Sequence, residues 1–547
     1  MDMWRHTGIF RHLLKPVARQ WISSCLESRI LLPPIPLAER NTMTRLKPAG
    51  TLVAVALCYL TSRPPVWAQQ SVYNGQGEMA GEVTDRTVIL QSRLTQGNQL
   101  VDGDLAGTPG VARFEIATND FFRHVRQTDW IKAVAAYDYI VKTKVAGLKP
   151  GTRYFYRLEY GANRQSTRSG RTRSFKTLDG PEMSSPVSFV VVTGMNYAFF
   201  HYGTDGRGRR MYTGADRPLG YPALATILEM KPDFFVGTGD NVYYDHPMST
   251  RARTQAELRR KWHEQFVQPR FLELFSQVPT YWEKDDHDHR FNDCDPQTPV
   301  RGSHETAEDR ADPELAQKPS TQLGIRTFWE QVPVVDPCEK NPVTYRTHRV
   351  SRDLQIWLVE GRDYRSPNEM SDGPQKSLWG KQQIAWLQRT LLASDATFKI
   401  LISPTPLVGP DSARKRDNHA NIGGFQHEAR EFFSWLSEQE FPDRHFYLVC
   451  GDRHWQYHAV SPSGIEEFSC GAICDANAFL PIRPGQRGST DPESRITHKY
   501  TQSGQSGGFL KVQITPSRKS TPVLAEFSFY DERGELLYQA RKTARNR

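Results

Sequence analysis

Three clusters of acids and histidines stand where apolar runs end. They are Gly239-Asp240-Asn241-Val242-Tyr243, then Asp285-Asp286-His287-Asp288 with Asn292 close behind, then Gly451-Asp452-Arg453-His454. The runs before them, Phe234-Phe235-Val236, Thr280-Tyr281-Trp282 and Phe446-Tyr447-Leu448-Val449, read as buried strands. In open α/β sheets the crevice beyond the strand C-termini is where ligands bind. Carboxylates and imidazoles gathered there from distant positions repel one another unless a cation neutralises them. Any one cluster alone reads as a polar turn. Three in order, each at a strand end, point to a hydrolytic metal centre.

The elements that must position these clusters alternate between strand and helix, as a sheet flanked by helices requires. Strands are expected at 187–193, 233–237, 279–282, 398–403 and 445–450, with a hairpin near 343–349 and 354–360. Helices are expected near 221–230, 252–275, 321–331, 380–393 and 425–438. Leu224, Ile227 and Leu228 share one helical face, and Ile384, Leu387 and Leu391 another; both are core stripes without a chemical message. Residues 293–320 are polar and aperiodic, and so long a loop beside a candidate site suggests a lid or rim. Upstream, residues 76–178 read as all-β, with short strands at 87–91, 112–116 and 139–143 between polar turns. A linker with Gly180, Pro181 and Pro186 separates the two regions. The expected domains are therefore a β-sandwich over 76–178 and an α/β domain over 185–540.

At 547 residues the chain is too long for one ordinary core. Its formal charge of +9 suggests nucleic acid, but the distribution argues otherwise. Residues 1–68 hold nine Lys/Arg against three acids, so most of the excess lies there, and no basic-aromatic stripe follows. No specific nucleic-acid partner is expected. That first segment resembles a secretion signal: Arg45 and Lys47 precede the apolar run Leu52–Leu60, and Val66-Trp67-Ala68-Gln69 offers a small-residue cleavage site. The run is too short to span a bilayer, and Met43 is an alternative start. The mature protein is expected to be periplasmic or extracellular, without an integral membrane span, and monomeric. Cys294–Cys338 and Cys470–Cys474 are possible disulfides in such a compartment, whereas Cys450 lies in an apolar strand and reads as a buried thiol.

Two resemblances sharpen this reading. The segment Gly147-Leu148-Lys149-Pro150-Gly151-Thr152-Arg153-Tyr154-Phe155-Tyr156 resembles the penultimate-strand region of fibronectin type III-like sandwiches. The downstream clusters resemble the calcineurin-like metallophosphoesterases, nearest to their alkaline phosphatase D (PhoD-like) branch. Further shared motifs are Gly361-Arg362-x-Tyr364-Arg365 and Gln382-x-x-x-Trp386-Leu387. Gly451-Asp452-x-His454 carries Asp where most of the superfamily has His, a trait of this branch. The implied architecture is a four-layer α-β-β-α sandwich behind the all-β domain. The implied activity is metal-dependent hydrolysis of phosphate monoesters or diesters, on a small-molecule, lipid or nucleotide substrate.

The resemblance also implies roles. Asp240 would bridge two cations, Fe3+ and Ca2+ in this branch, and Tyr243 would give iron a phenolate. Asp286 or Asn292 would hold the second, harder ion through oxygen. Asp452 and His454 would close the ligand set. His287 would stabilise the transition state or protonate the leaving group, and Arg362 and Arg365 would grip phosphate bidentately. Two departures stand out. The family's Trp-Asp-Gly-Tyr has become Ile422-Gly423-Gly424-Phe425, so Asp417 or His419 would have to replace an acid. The branch's cysteine ligand aligns with Gly194, leaving the iron position one ligand short unless Asn196 or His201 reaches it. These losses keep a rival open: a binding or surface protein that retains the fold but not the reaction.

Overall fold

The computed structural model describes residues 71–203, 211–299, 318–518 and 521–544. The signal-like segment and its cleavage site lie outside these residues, as does most of the 293–320 loop. Two large sheets form the body. The first has nine strands, in the order Leu536–Ala544, Val523–Asp531, Gly508–Thr515, Val187–Val192, Phe234–Thr238, Thr280–Glu283, Glu78–Gly81, Thr87–Arg93 and Ile140–Ala146. The second has seven: Arg346–Arg349, Leu354–Leu358, Phe398–Ser403, Phe446–Cys450, Glu466–Cys470, Gln456–Val460 and Thr497–Thr501. Each contains a run of parallel strands, 187–192, 234–238 and 280–283 in one, and 354–358, 398–403 and 446–450 in the other.

The side-chain period of two sorts these strands into layers. Phe189, Val191, Phe234 and Val236 point into one core together with Ile356, Leu358, Ile400, Ile402 and Val449 from the second sheet. The alternate residues Val190, Val192 and Phe235 face helices Pro222–Met230, Gln255–Phe266 and Pro269–Phe275. Trp357, Leu401, Leu448 and Cys450 face helices Gly380–Leu392 and Gln426–Glu438. The strands are thus buried on both faces, which is why they read as unbroken apolar runs. The result is the expected four-layer α-β-β-α sandwich.

The expected helix over 252–275 is two helices. The first begins at a capping box between Thr254 and Glu257, and the second begins at Pro269, which lacks the N–H needed to continue the first. The all-β region is also more entangled than its sequence suggests. Its strands 78–81, 87–93 and 140–146 extend the nine-stranded sheet, with Gly81 registered on Thr280, while a six-stranded sheet around 110–117 and 153–163 packs over them. The strands after residue 456, which the alternating pattern did not reveal, complete both large sheets; they are antiparallel to their neighbours except that Glu466–Cys470 runs parallel to Phe446–Cys450.

Neither possible disulfide forms. Cys294, Cys470 and Cys474 are buried thiols, the Cys294 Sγ lying 3.6 Å from the carbonyl of Asp286, and Cys450 sits in its strand against the Tyr457 hydroxyl at 3.5 Å. Among the described residues no helix is long and apolar enough to cross a membrane.

Candidate metal centre

The two sheets meet at their strand ends. Gly451 follows strand Phe446–Cys450, and a side chain there would stand 2.5 Å from the Thr238 carbonyl and 2.9 Å from that of Pro404. Only glycine allows that approach, and it brings Asp452 and His454 to Asp240. Asp240 and Asp452 both leave their strands in the left-handed region, φ 53° and 56°. Such backbone is tolerated by aspartate and concentrates at functional sites.

Two acid-rich groups result. In the first, ligand-type atoms of Asp240, Asp286 and His287 lie within 4.8 Å of one another. Tyr243 Oη donates to Asp240 Oδ2 at 2.9 Å, and His454 Nε2 is 3.2 Å from both oxygens. In the second, Asp286, Asp293 and Asp417 converge within the same limit. Asp286 is the residue common to both. Asp417 is buried and neither of its oxygens has a hydrogen-bond partner; Asp240 Oδ1 is likewise unpartnered. Asp452 lies beside this group, its Oδ1 3.8 Å from the ammonium of Lys415, which also reaches Asp293 Oδ1 at 2.7 Å.

The electrostatics describe a site built for added positive charge. Burial raises the Asp240 carboxyl well above its ordinary range; His287 lowers it, and Asp286, Asp288 and Asp452 raise it again. Burial and the Asp417 charge push Asp293 up to about 6. Burial opposes charge on Asp417, yet Lys415, Arg362 and Arg453 bring it down to about 2. Burial also opposes charge on His287, but Asp245, Asp286 and Asp240 outweigh it and raise the ring well above the usual imidazole range. Buried carboxylate oxygens without donors are costly unless a cation takes them. The donor set of carboxylates, two imidazoles and one phenol suits oxygen-seeking cations and iron. The residues present fit a metal pair.

Some sequence-predicted residues are placed elsewhere. Asn292 is exposed, with its N–H on Asp245 Oδ2 at 3.0 Å; its neighbour Asp293 joins the acids instead. Arg362 is fully buried, its Nε 2.6 Å from Asp285 Oδ1 and its Nη1 2.9 Å from the Cys294 carbonyl. It braces Asp285 and faces Asp417 at 3.6 Å, so it is a counter-charge behind the acids and is closed to an outside phosphate. Arg365 is buried too, bonded to the Gly361 carbonyl at 2.7 Å and lying over Phe425. His419 turns away to Glu428 at 2.9 Å, leaving Asp417 to supply the replacement acid. Asn196 is spent on the N-cap of helix Tyr197–Tyr202 and on His246 Nδ1, and His201 pairs with Gln268.

Gly194 also behaves differently from its alignment. It has φ +67°, and a side chain there would lie 3.0 Å from Ala472 Cβ and 3.1 Å from Asn477 Nδ2. The space beside it is filled by Asn477, whose amide donates to the Gly194 carbonyl at 3.0 Å and to Tyr243 Oη at 2.9 Å. A cysteine at 194 would meet strain and crowding, so substitution there does not simply restore the family's ligand. Sequence reasoning also missed Asp245, which holds His287 Nδ1 at 2.7 Å, and Lys415. Asp245 was legible as an acid two residues beyond Tyr243; Asn477, more than two hundred residues away, left no local signal.

Comparisons with known proteins place this fold in a family. The family model described as PhoD-like phosphatase matches residues 189–521, and the one described as PhoD-like phosphatase, N-terminal domain, matches 62–176. The solved structure of PhoD superimposes with a TM-score of 0.63 at 16% identity, covering 88% of this chain and 90% of that one. A purple acid phosphatase from yellow lupin (Lupinus luteus) seeds gives a TM-score of 0.51 at 13% identity, over 87% of this chain and 74% of that one. At these identities the structural likeness speaks for fold. No curated protein matches by sequence.

Proposed function

Because the chain belongs to the PhoD-like phosphatase family, we propose that its metal centre hydrolyses phosphate esters with the two acidic groups as ligands. The observation that carries this is the pair of groups joined through Asp286, with the Asp240 and Asp417 oxygens buried and lacking donors. Asp240, Tyr243 and His454 would hold one cation, Asp293, Asp417 and Asp452 the other, and Asp286 would lie between. Iron and calcium are the ions suggested by resemblance. When bound, such cations neutralise carboxylate and phosphate charge and acidify a water molecule.

The chain's own residues do the rest. Asp245 fixes the His287 ring through Nδ1, leaving Nε2 as the nitrogen for substrate, and against the effect of burial Asp245, Asp286 and Asp240 favour the protonated ring. A protonated imidazole there donates its proton to the departing oxygen or stabilises charge growing on the phosphoryl group. Lys415, Arg362 and Arg453 hold the Asp417 carboxyl low against the effect of burial, without themselves being ligands. Secretion through the N-terminal apolar run belongs to the same reading.

The test is hydrolysis of 4-nitrophenyl phosphate and bis(4-nitrophenyl) phosphate, with and without chelator, alongside elemental analysis. Chelator-sensitive release from either ester is expected. Inactivity on both across iron, calcium, manganese and zinc would favour the non-catalytic rival.

A further inference from the structure

Beside the metal-binding acids the surface opens into a cleft of about 610 Å³. Asp293, Lys415 and Asp417 line its inner end, so it is continuous with the second acidic group. A single phosphoryl group would fill only a small part of it. Its lining mixes Gln297, Thr298 and Asn368 with Pro299 and Pro367, and among the described residues no aromatic side chain lines it. A nucleobase or aryl leaving group would therefore find no stacking surface there.

Charge decides what does fit. Arg414, Lys415 and Arg416 all line the cleft. The acids opposite them are mostly committed. Asp293 and Asp417 belong to the ligand groups. Asp295 accepts from the backbone N–H of Gln297, Thr298 and Asn368. Glu369, 83% exposed, pairs loosely with Arg416 at 3.5 Å, while Arg414 pairs with no carboxylate among the described residues. Once the ligand acids hold cations, the cleft is net positive and carries two guanidiniums suited to bidentate capture of phosphate.

Resting on the phosphoesterase reading above, we propose that this cleft is a subsite for a second phosphate carried by the leaving group. The substrate class is then a compound with phosphate on both sides of the scissile bond, such as a phosphoanhydride. Water adds its oxygen to the terminal phosphorus and gives up a proton to solvent. The bridging P–O bond breaks with its electron pair on the leaving oxygen, releasing orthophosphate and a chain one phosphate shorter. Arg414 and Arg416 hold that departing chain.

The experiment uses metal-loaded protein and compares tripolyphosphate, ATP and fructose 1,6-bisphosphate with 4-nitrophenyl phosphate. The expected kcat/KM for tripolyphosphate exceeds that for the aryl ester at least tenfold. That ratio is expected to fall at least tenfold in Arg414→Gln/Arg416→Gln and to be largely kept in Arg414→Lys/Arg416→Lys. ATP behaving like tripolyphosphate would identify an anhydride site, whereas preference for the bisphosphate would identify a phosphorylated-sugar site with the same subsite. Calorimetry with pyrophosphate gives a readout free of turnover, with binding at least tenfold weaker in the glutamine variant. An unchanged ratio together with unchanged pyrophosphate binding would overturn the subsite, even with aryl phosphatase activity intact. Inactivity on every ester would instead remove the phosphoesterase reading, and pyrophosphate binding would then decide the subsite alone.

Discussion

His287 Nδ1 lies 2.7 Å from Asp245 Oδ1, so an acid from the loop after strand Phe234–Thr238 orients a histidine from the short helix Asp286–His289 that follows strand Thr280–Glu283. Strands Phe234–Thr238 and Thr280–Glu283 are parallel neighbours, and their shared register sets that distance. Asp245 is a positioning residue. Asp245→Asn is expected to lower turnover and move the alkaline limb of the pH profile to lower pH, with metal content unchanged. His287→Ala is expected to lose about 10²–10⁴-fold in turnover. Loss of bound metal in His287→Ala would make the histidine a ligand instead.

Asp417 has two buried oxygens without a hydrogen-bond donor, and it faces Arg362 only at 3.6 Å. Asp417→Ala is expected to lose about one equivalent of metal while the folded state is kept. Asp240→Ala is expected to abolish activity with the same retention of fold. Elemental analysis beside circular dichroism checks both, and full metal content in either variant would contradict the ligand assignment.

Gly194 carries a prediction about strain. Its φ of +67° and the proximity of Ala472 and Asn477 make any side chain unfavourable. Gly194→Cys is expected to cost about 1–3 kcal/mol of stability, measured by denaturant unfolding. With Tyr243 and His454 alone beside the carboxylates, the unaltered protein is expected to purify with less than one equivalent of iron. Stoichiometric iron that survives chelation would show another ligand at work.

A second buried acid governs acid stability away from the site. Asp138 accepts from Arg93 Nη2 at 2.9 Å, His263 Nε2 at 2.7 Å and Gln331 Nε2 at 2.8 Å. It ties the all-β region to helices Gln255–Phe266 and Thr321–Gln331. Burial opposes its charge, but His263 and Arg93 hold the carboxyl below its ordinary range. A depressed acid stabilises the fold above the unfolded-state value of about 3.9 and loses that contribution as pH falls below it. Asp138→Asn is expected to cost about 3–5 kcal/mol near neutrality, with a gap from the native protein that narrows toward about pH 3. A gap equally wide at both ends would refute the linkage.

Metal removal should be visible without any substrate. The carboxylates of both groups repel once their cations leave, so chelation is expected to lower the melting temperature, and added metal to restore it in a concentration-dependent way. A melting curve indifferent to chelator would argue against a resident metal.

The chain announces its strands, the order of its three acidic clusters and its family by itself. Apolar runs buried on both faces and Gly-Asp turns at their ends are local patterns, and Asp240, Asp286, Asp452 and His454 were legible from them. Tertiary structure alone decided which side chains face the centre. Arg362, in a motif shared with the family, and His419, two residues beyond Asp417, were claimed by Asp285 and Glu428, because a buried charge or imidazole is held by the nearest complementary group. Asn477 reached Tyr243 and Gly194 only because the two sheets close on each other at Gly451. The all-β region gave three strands to the nine-stranded sheet for a similar reason: pairing partners are chosen by register and edge in space, which no local pattern encodes.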